Sequence, residues 1–359
     1  MKKIICFVIV ISHGLISYGQ SRQLDAFIAE YAASHQFSGS ILVQHHGKVA
    51  YNHAFGKANF PFNVPNDPGT KYQVASITKL FTAVLILQLY ESGKLDLQAH
   101  IKKYLPDYDG EAADKVTIHQ LLNHTSGMEN MESYPDPEFK FDWLGAYGKP
   151  YSSDQLFDRF CKGKIIHQPG TFFDYNNGEY IILGKIIEKL YGKPYEEVLK
   201  IKLLEPLKMS ASGMCFQARI IPAIADTYSL NSKTRALEKD EPAFIQNWYA
   251  AGAMYSTTAD LMKFINQLFS YKIIKKASLD KLLKPGLDDY GYGVWIRGKV
   301  HQVMERYGHI RGTNTVIFRF LDSDTTVIIL SNTDAINNLG PFGYQIVERL
   351  SGNFTKSRR

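Results

Sequence analysis

The chain has 359 residues, 45% of them hydrophobic and 21% charged, with a formal net charge of +6. That balance excludes disordered and fibrous classes, and the length is sufficient to bury a core without disulfide staples. Lys and Arg are dispersed, not gathered in stripes, so nucleic-acid binding gains no support. A mildly basic surface favours anionic substrates only weakly.

Lys2-Lys3 precede an apolar run from Ile4 to Ile11 that extends unevenly to Ile16, and Ser17-Tyr18-Gly19 then sets small residues two apart. This is the form of a secretory leader over residues 1–19, too short for a spanning helix. The mature chain is therefore expected to begin at Gln20, to be secreted or periplasmic, and to carry no membrane span. Cys6 lies inside the apolar run, which argues against a lipoprotein anchor. Cys161 and Cys215 would remain, and they are expected to be buried and unpaired.

Leu24, Phe27, Ile28 and Tyr31 fall at helical spacing over 22–35. Two β-rich runs, 39–44 and 48–55, flank His46-Gly47 and predict a hairpin. Residues 77–93 are apolar nearly all round, as in a buried helix ended by Gly93. Residues 95–225 alternate short helical patterns with loops, the clearest being a helix pair over 179–200 joined at Gly192-Lys193-Pro194. A helix over 258–271, capped by Thr257 or Thr258, follows. Strands are expected at 291–297, 301–308, 313–320 and 325–331, then a closing helix at 341–351. Strands at both ends with helices between predict an α/β (α+β) fold. Its antiparallel sheet is built from both termini, flanked by helices, and carries a large, mainly helical insertion. The expected division is an α/β part at about 22–75 and 226–355, the insertion at about 76–225, and a basic tail at 356–359.

Ser76-Ile77-Thr78-Lys79 places a hydroxyl and an amine on one helical face. A Ser at the start of a buried helix meets free N–H groups, and burial disfavours the ammonium of Lys79, easing proton transfer. A second Ser-x-x-Lys, at Ser278 and Lys281, reads as a solvated helix face. Tyr175-Asn176-Asn177, before a helix, offers either a helix cap or a phenol that carries protons beside a donating amide, Asn177. His309, in Gly308-His309-Ile310-Arg311-Gly312, lies at a strand near the C-terminus. Neither a His-Glu-x-x-His nor a Gly-x-Ser-x-Gly is present, which disfavours zinc chemistry and the α/β-hydrolase elbow.

In this order the three fragments resemble the serine β-lactamase and penicillin-binding protein superfamily, in its class C β-lactamase-like branch of D-alanyl-D-alanine carboxypeptidases and esterases. Phe37-Ser38-Gly39-Ser40, Leu121-Leu122-Asn123-His124-Thr125-Ser126-Gly127-Met128, Pro169-Gly170-Thr171 and Gly252-Ala253-Met254-Tyr255-Ser256-Thr257 are also similar to it, so the likeness spans roughly 37–335. The resemblance implies a β-lactamase/transpeptidase-like fold and acyl transfer through Ser76, with Lys79 and Tyr175 relaying its proton. Asn177 and His309 would bind substrate, and the N–H groups of Ser76 and Gly312 would hold the oxyanion. It implies no metal or other cofactor and a small-molecule or peptidoglycan-derived substrate; the chain is expected to be a monomer. His124 reads as part of a structural turn. The family's third motif ends in Gly, where this chain has Arg311; that residue either narrows the cleft or offers a fork to a substrate carboxylate. A non-catalytic module that binds cell-wall peptide or a partner without turnover is the alternative.

Overall fold

The computed structural model describes residues 12–133, 148–299 and 301–351, with side chains from residue 23 to 350. The greater part of the leader and the basic tail at 356–359 lie outside the described residues.

Six strands form the main sheet: β1 (Gly39–His45), β2 (Lys48–Phe55), β3 (Trp295–Arg297), β4 (Val303–Ile310), β5 (Thr313–Phe320) and β6 (Thr325–Ser331). Their spatial order is β3-β4-β5-β6-β1-β2, antiparallel throughout. The two ends of the chain thus meet where β1 pairs with β6, from Gly39 opposite Ser331 to His45 opposite Thr325. The β1–β2 turn uses His46 at φ 47° and Gly47 at φ 73°, the left-handed geometry that a tight hairpin needs.

Both faces of the sheet are covered, which explains the unbroken apolar run Ile41-Leu42-Val43. Ile41 and Val43 face a core built with Phe318, Val327 and Ile329 under the terminal helices α1 (Ser12–Ser34) and α5 (Gly340–Ser351). Tyr31 and Phe342 stack there with ring centroids 3.9 Å apart. Leu42 faces the larger core with Ile317, Ile328 and Leu330. Helices α2 (Thr78–Glu91), α3 (Asn177–Tyr191) and α4 (Thr258–Phe269) fill that side. In α2 every residue from Thr78 to Leu87 is buried, as an all-round apolar sequence requires. Gly192 ends α3 at φ 65°, and the Thr257 hydroxyl caps α4 by accepting from the Asp260 N–H.

Two departures from the sequence-based expectation matter for the site. The strand expected at 291–297 shrinks to β3, because Gly293 turns at φ 75° against the Lys79 carbonyl and the Tyr180 hydroxyl. The strand expected at 301–308 runs instead from Val303 to Ile310. Cys161 and Cys215 are free and buried, as expected. In the second Ser-x-x-Lys, Lys281 is exposed as expected, but Ser278 is buried.

Candidate active site

Ser76 sits in a short 3-10 turn, Ala75–Ile77, that runs directly into α2. The preceding Ala75 adopts φ +46°, a left-handed conformation costing roughly 1–2 kcal/mol for a residue with a Cβ. The surroundings hold it there. Val74 N–H donates to the Met254 carbonyl at 2.9 Å, and the Thr78 hydroxyl donates to the Ala75 carbonyl at 2.7 Å. Ser76 itself is half-buried and reachable.

One turn on, the Lys79 amine is fully buried and its three donors are satisfied: by Ser76 Oγ at 3.2 Å, Asn177 Oδ1 at 2.6 Å and the Ala251 carbonyl at 2.9 Å. It also lies 4.7 Å from the centre of the Tyr175 ring. Burial is the main reason the amine is held down to about 8, with Arg306 repelling it further and Tyr175 opposing. For Tyr175, burial alone would raise the phenol, but the charges of Arg306 and Lys79 and hydrogen bonds to Lys79 and Ser76 outweigh it and bring it down to about 8. The two groups titrate as a pair. Ser76, Lys79, Tyr175 and Asn177 therefore converge.

Asn177 differs from expectation in its bonding. Its Oδ1 accepts from Lys79 and its Nδ2 donates to Glu132 Oε1 at 2.6 Å, so it bridges a cation and a carboxylate instead of facing a substrate with a free amide. The helix cap is its neighbour Asn176, whose Oδ1 accepts from the Gly178 N–H at 2.9 Å.

The third fragment is corrected outright. His309 is exposed, on the opposite face of β4 from the buried Arg306, Gly308 and Ile310. The parity of the strand decides this, since residues an odd number apart point to opposite sides. Arg306 fills the place assigned to the imidazole. Its guanidinium is fully buried and donates from Nε to the Ser76 carbonyl at 2.6 Å, from Nη1 to the Tyr290 hydroxyl at 2.9 Å and from Nη2 to the Tyr175 hydroxyl at 2.8 Å. The motif on the site face is thus Arg306-Tyr307-Gly308, cation and Gly two apart, three residues earlier than expected. Gly308 is needed for close approach: a Cβ there would fall 2.3 Å from the Val74 carbonyl oxygen and 3.1 Å from Ser76 N. Gly308→Ala is expected to destabilise the fold by about 1–3 kcal/mol and to displace Ser76; a thermal melt and an ester assay on one preparation check both.

Gly312 and Arg311 are corrected too. Gly312 donates its N–H to Asp240 Oδ2 at 2.9 Å and lies against the Tyr228 backbone, so that donor is already engaged. The N–H that remains in place is that of His309. The Leu321 N–H donates to the Gln302 carbonyl, which makes even-numbered residues of β4 the ones bonded to β5. His309 therefore directs its N–H to the other edge, where β3 pairs only residues 303–305. Arg311 occupies the β4–β5 turn at φ 48° and lines a cavity of about 480 Å³ with Asp226, Asp240 and Glu241, a lining that does not include Ser76.

Arg306 and Glu132 were missed from sequence. A signal for Arg306 existed: the misfit of Arg311 at a Gly position, with a basic-x-Gly triplet three residues upstream.

A Ser at a helix start behind the strained Ala75, bonded to a buried Lys and flanked by a phenol and a strand edge, frames the comparison with known proteins. The Beta-lactamase family model matches residues 24–345. The chain belongs to the Beta-lactamase family. It is 27% identical over 316 residues to a teichoic acid D-alanine hydrolase of Staphylococcus aureus, covering 87% of this chain and 74% of that relative. The octameric penicillin-binding protein homologue from Pyrococcus abyssi superposes with a TM-score of 0.78 at 27% identity, over 92% of this chain and 77% of that one. The D-amino acid amidase of Ochrobactrum anthropi SV3 shares the fold with a TM-score of 0.76 at 22% identity, over 94% of this chain and 98% of that one. The chain is a β-lactamase-related hydrolase, and no described helix is long and apolar enough to cross a membrane.

Proposed function

We propose that this β-lactamase-related protein is an exported serine hydrolase, a monomer whose leader ends at Gly19, that forms an acyl-enzyme on Ser76 from an ester or amide such as a D-alanyl ester, a D-Ala peptide or a β-lactam. The observation that carries the proposal is the contact of Lys79 Nζ with Ser76 Oγ at 3.2 Å, beside a phenol held to about 8. As Ser76 Oγ attacks the carbonyl, its proton passes to the Lys79–Tyr175 pair and on to the leaving group. Arg306 favours the phenolate form of Tyr175 throughout. The oxyanion is held by the N–H groups of Ser76 and His309, each worth roughly 100- to 1,000-fold in rate. Water deprotonated by the same pair then releases the acyl group. A D-alanyl ester is favoured because the teichoic acid D-alanine hydrolase relative shares the family over most of both chains. Against the alternative without turnover, which rested on Arg311, stands the fact that Arg311 lines a cavity whose lining does not include Ser76.

The working form of the pair has lost a proton, so kcat/KM is expected to rise with pH through about 8. A profile that is flat from pH 6 to 10 would remove the pair from catalysis. The function itself is tested by incubating the purified chain with a fluorescent penicillin, a chromogenic short-chain ester and a D-alanyl ester. Turnover, or a mass adduct on Ser76, supports the proposal, and the absence of both with all three acyl donors overturns it. The apparent mass from light scattering in the same buffer checks the monomer.

A further inference from the structure

Beneath the phenol of Tyr175 lies a buried pair that the acyl-transfer scheme does not use. His124, in a turn at φ 58°, is 1% exposed, as is Glu179 on the first turns of α3. The His124 ring centroid lies 4.4 Å from that of Tyr175 and 4.9 and 5.2 Å from those of Tyr290 and Tyr180.

The hydrogen-bond partners of His124 argue for one placement of the protons. The Asn176 N–H donates to His124 Nδ1 at 3.3 Å. An N–H can only donate, so Nδ1 presents a lone pair and the neutral ring carries its proton on Nε2. Glu179 Oε2 makes a short contact with the same Nδ1. With a lone pair on Nδ1, the proton of that contact is assigned to Glu179, since two lone-pair atoms cannot bond each other. Its other oxygen accepts from the Ser126 N–H at 3.3 Å, as a carboxyl C=O would. His124 Nε2 is buried with no hydrogen-bond partner among the described residues, inside the ring-lined cage.

We propose that His124 and Glu179 form an uncharged pair, with the proton on Glu179, and that this pair is the positioning floor that holds the Tyr175 phenol beside Ser76 and Lys79. The proposal rests on the reading of Tyr175 as a proton carrier. The surrounding charges agree with it. Burial pushes Glu179 well above the usual carboxyl range, with Ser126 and Lys79 opposing and Asp174 adding to the rise. Burial, then Lys79 and Arg306, hold His124 well below its usual value. The titratable groups facing the pair are thus Lys79, Arg306 and Asp174, with the phenols of Tyr175, Tyr180 and Tyr290. An imidazolium here would be a third cation next to Lys79 and Arg306. A carboxylate would oppose the phenolate that these two stabilise. Neutrality is what lets the pair support Tyr175 without altering its charge balance.

Glu179→Gln keeps a neutral donor to Nδ1 and an acceptor for Ser126. It is expected to leave kcat within about threefold and the pH midpoint unmoved, whereas His124→Ala lowers kcat about 10- to 100-fold at nearly constant KM by loosening Tyr175. A wild-type-minus-E179Q infrared difference spectrum at neutral pH should contain the C=O stretch of a protonated carboxyl. A carboxylate band in its place overturns the proposal, as does a Glu179→Gln variant that shifts the pH midpoint by a unit or loses as much activity as His124→Ala. A wild type that shows neither turnover nor a Ser76 adduct with any of the three acyl donors would defeat the hydrolase reading, while the infrared band still decides the protonation of Glu179.

Discussion

Ser76→Ala is expected to lower kcat by about 10⁴-fold or more, since single losses from a nucleophile–base unit cost about as much as losing the whole unit. KM for a short ester should change little, because the hydroxyl contributes to bond making, not to ground-state binding. The variant should fold: Ser76 is half-buried, and the turn that carries it is fixed by backbone bonds of Val74 and Ile77 and by the Thr78 hydroxyl, none of which needs the Ser76 side chain. Intact mass after exposure to a fluorescent penicillin would show the adduct in wild type and none in the variant. Turnover surviving within tenfold of wild type would move the nucleophile elsewhere and end the acyl-enzyme proposal.

Arg306→Ala and His309→Ala are expected to part company by about two orders of magnitude. Arg306 contacts the Ser76 carbonyl and the hydroxyls of Tyr175 and Tyr290 with three different nitrogens. No lysine can span those three acceptors, so Arg306→Lys should recover only part of the loss. Removing the guanidinium also removes the larger of the two charges that hold the Tyr175 phenol at about 8. The phenol then rises, and the ascending limb of kcat/KM moves to higher pH. We expect kcat to fall about 100- to 1,000-fold, the range for deleting one preorganised electrostatic group. His309→Ala should stay within about threefold of wild type, because its side chain is exposed on the opposite face of β4 from Arg306 and the substitution keeps the backbone N–H. Steady-state kinetics on both variants across pH 6–10 decides the matter. A silent Arg306→Ala beside a crippled His309→Ala would restore the register expected from the sequence.

The accuracy of the sequence reading followed the range of the interactions involved. Ser76 and Lys79 were legible because one helical turn fixes their separation whatever the rest of the chain does. The hairpin at His46-Gly47 and the all-apolar α2 were legible for the same local reason. Tyr175 was named, but its state was not: the lowered phenol depends on Arg306, 131 residues away along the chain. Glu132 escaped notice because a lone exposed carboxylate has no pattern until Asn177 bonds it.

Sequence alone, then, determined the α/β class with its sheet drawn from both termini, and the pairing of Ser76 with Lys79, since covalent spacing and hydrophobic periodicity are local properties of the chain. Only the tertiary structure decided which face of β4 looks into the cleft. The expected strand began at 301 and the observed one begins at Val303, and a choice among Arg306, Gly308 and His309 turns on pairing with β5. Side chains alternate along a strand, so register converts a shift of three positions into a change of face, and register is set by contacts between residues distant in the chain.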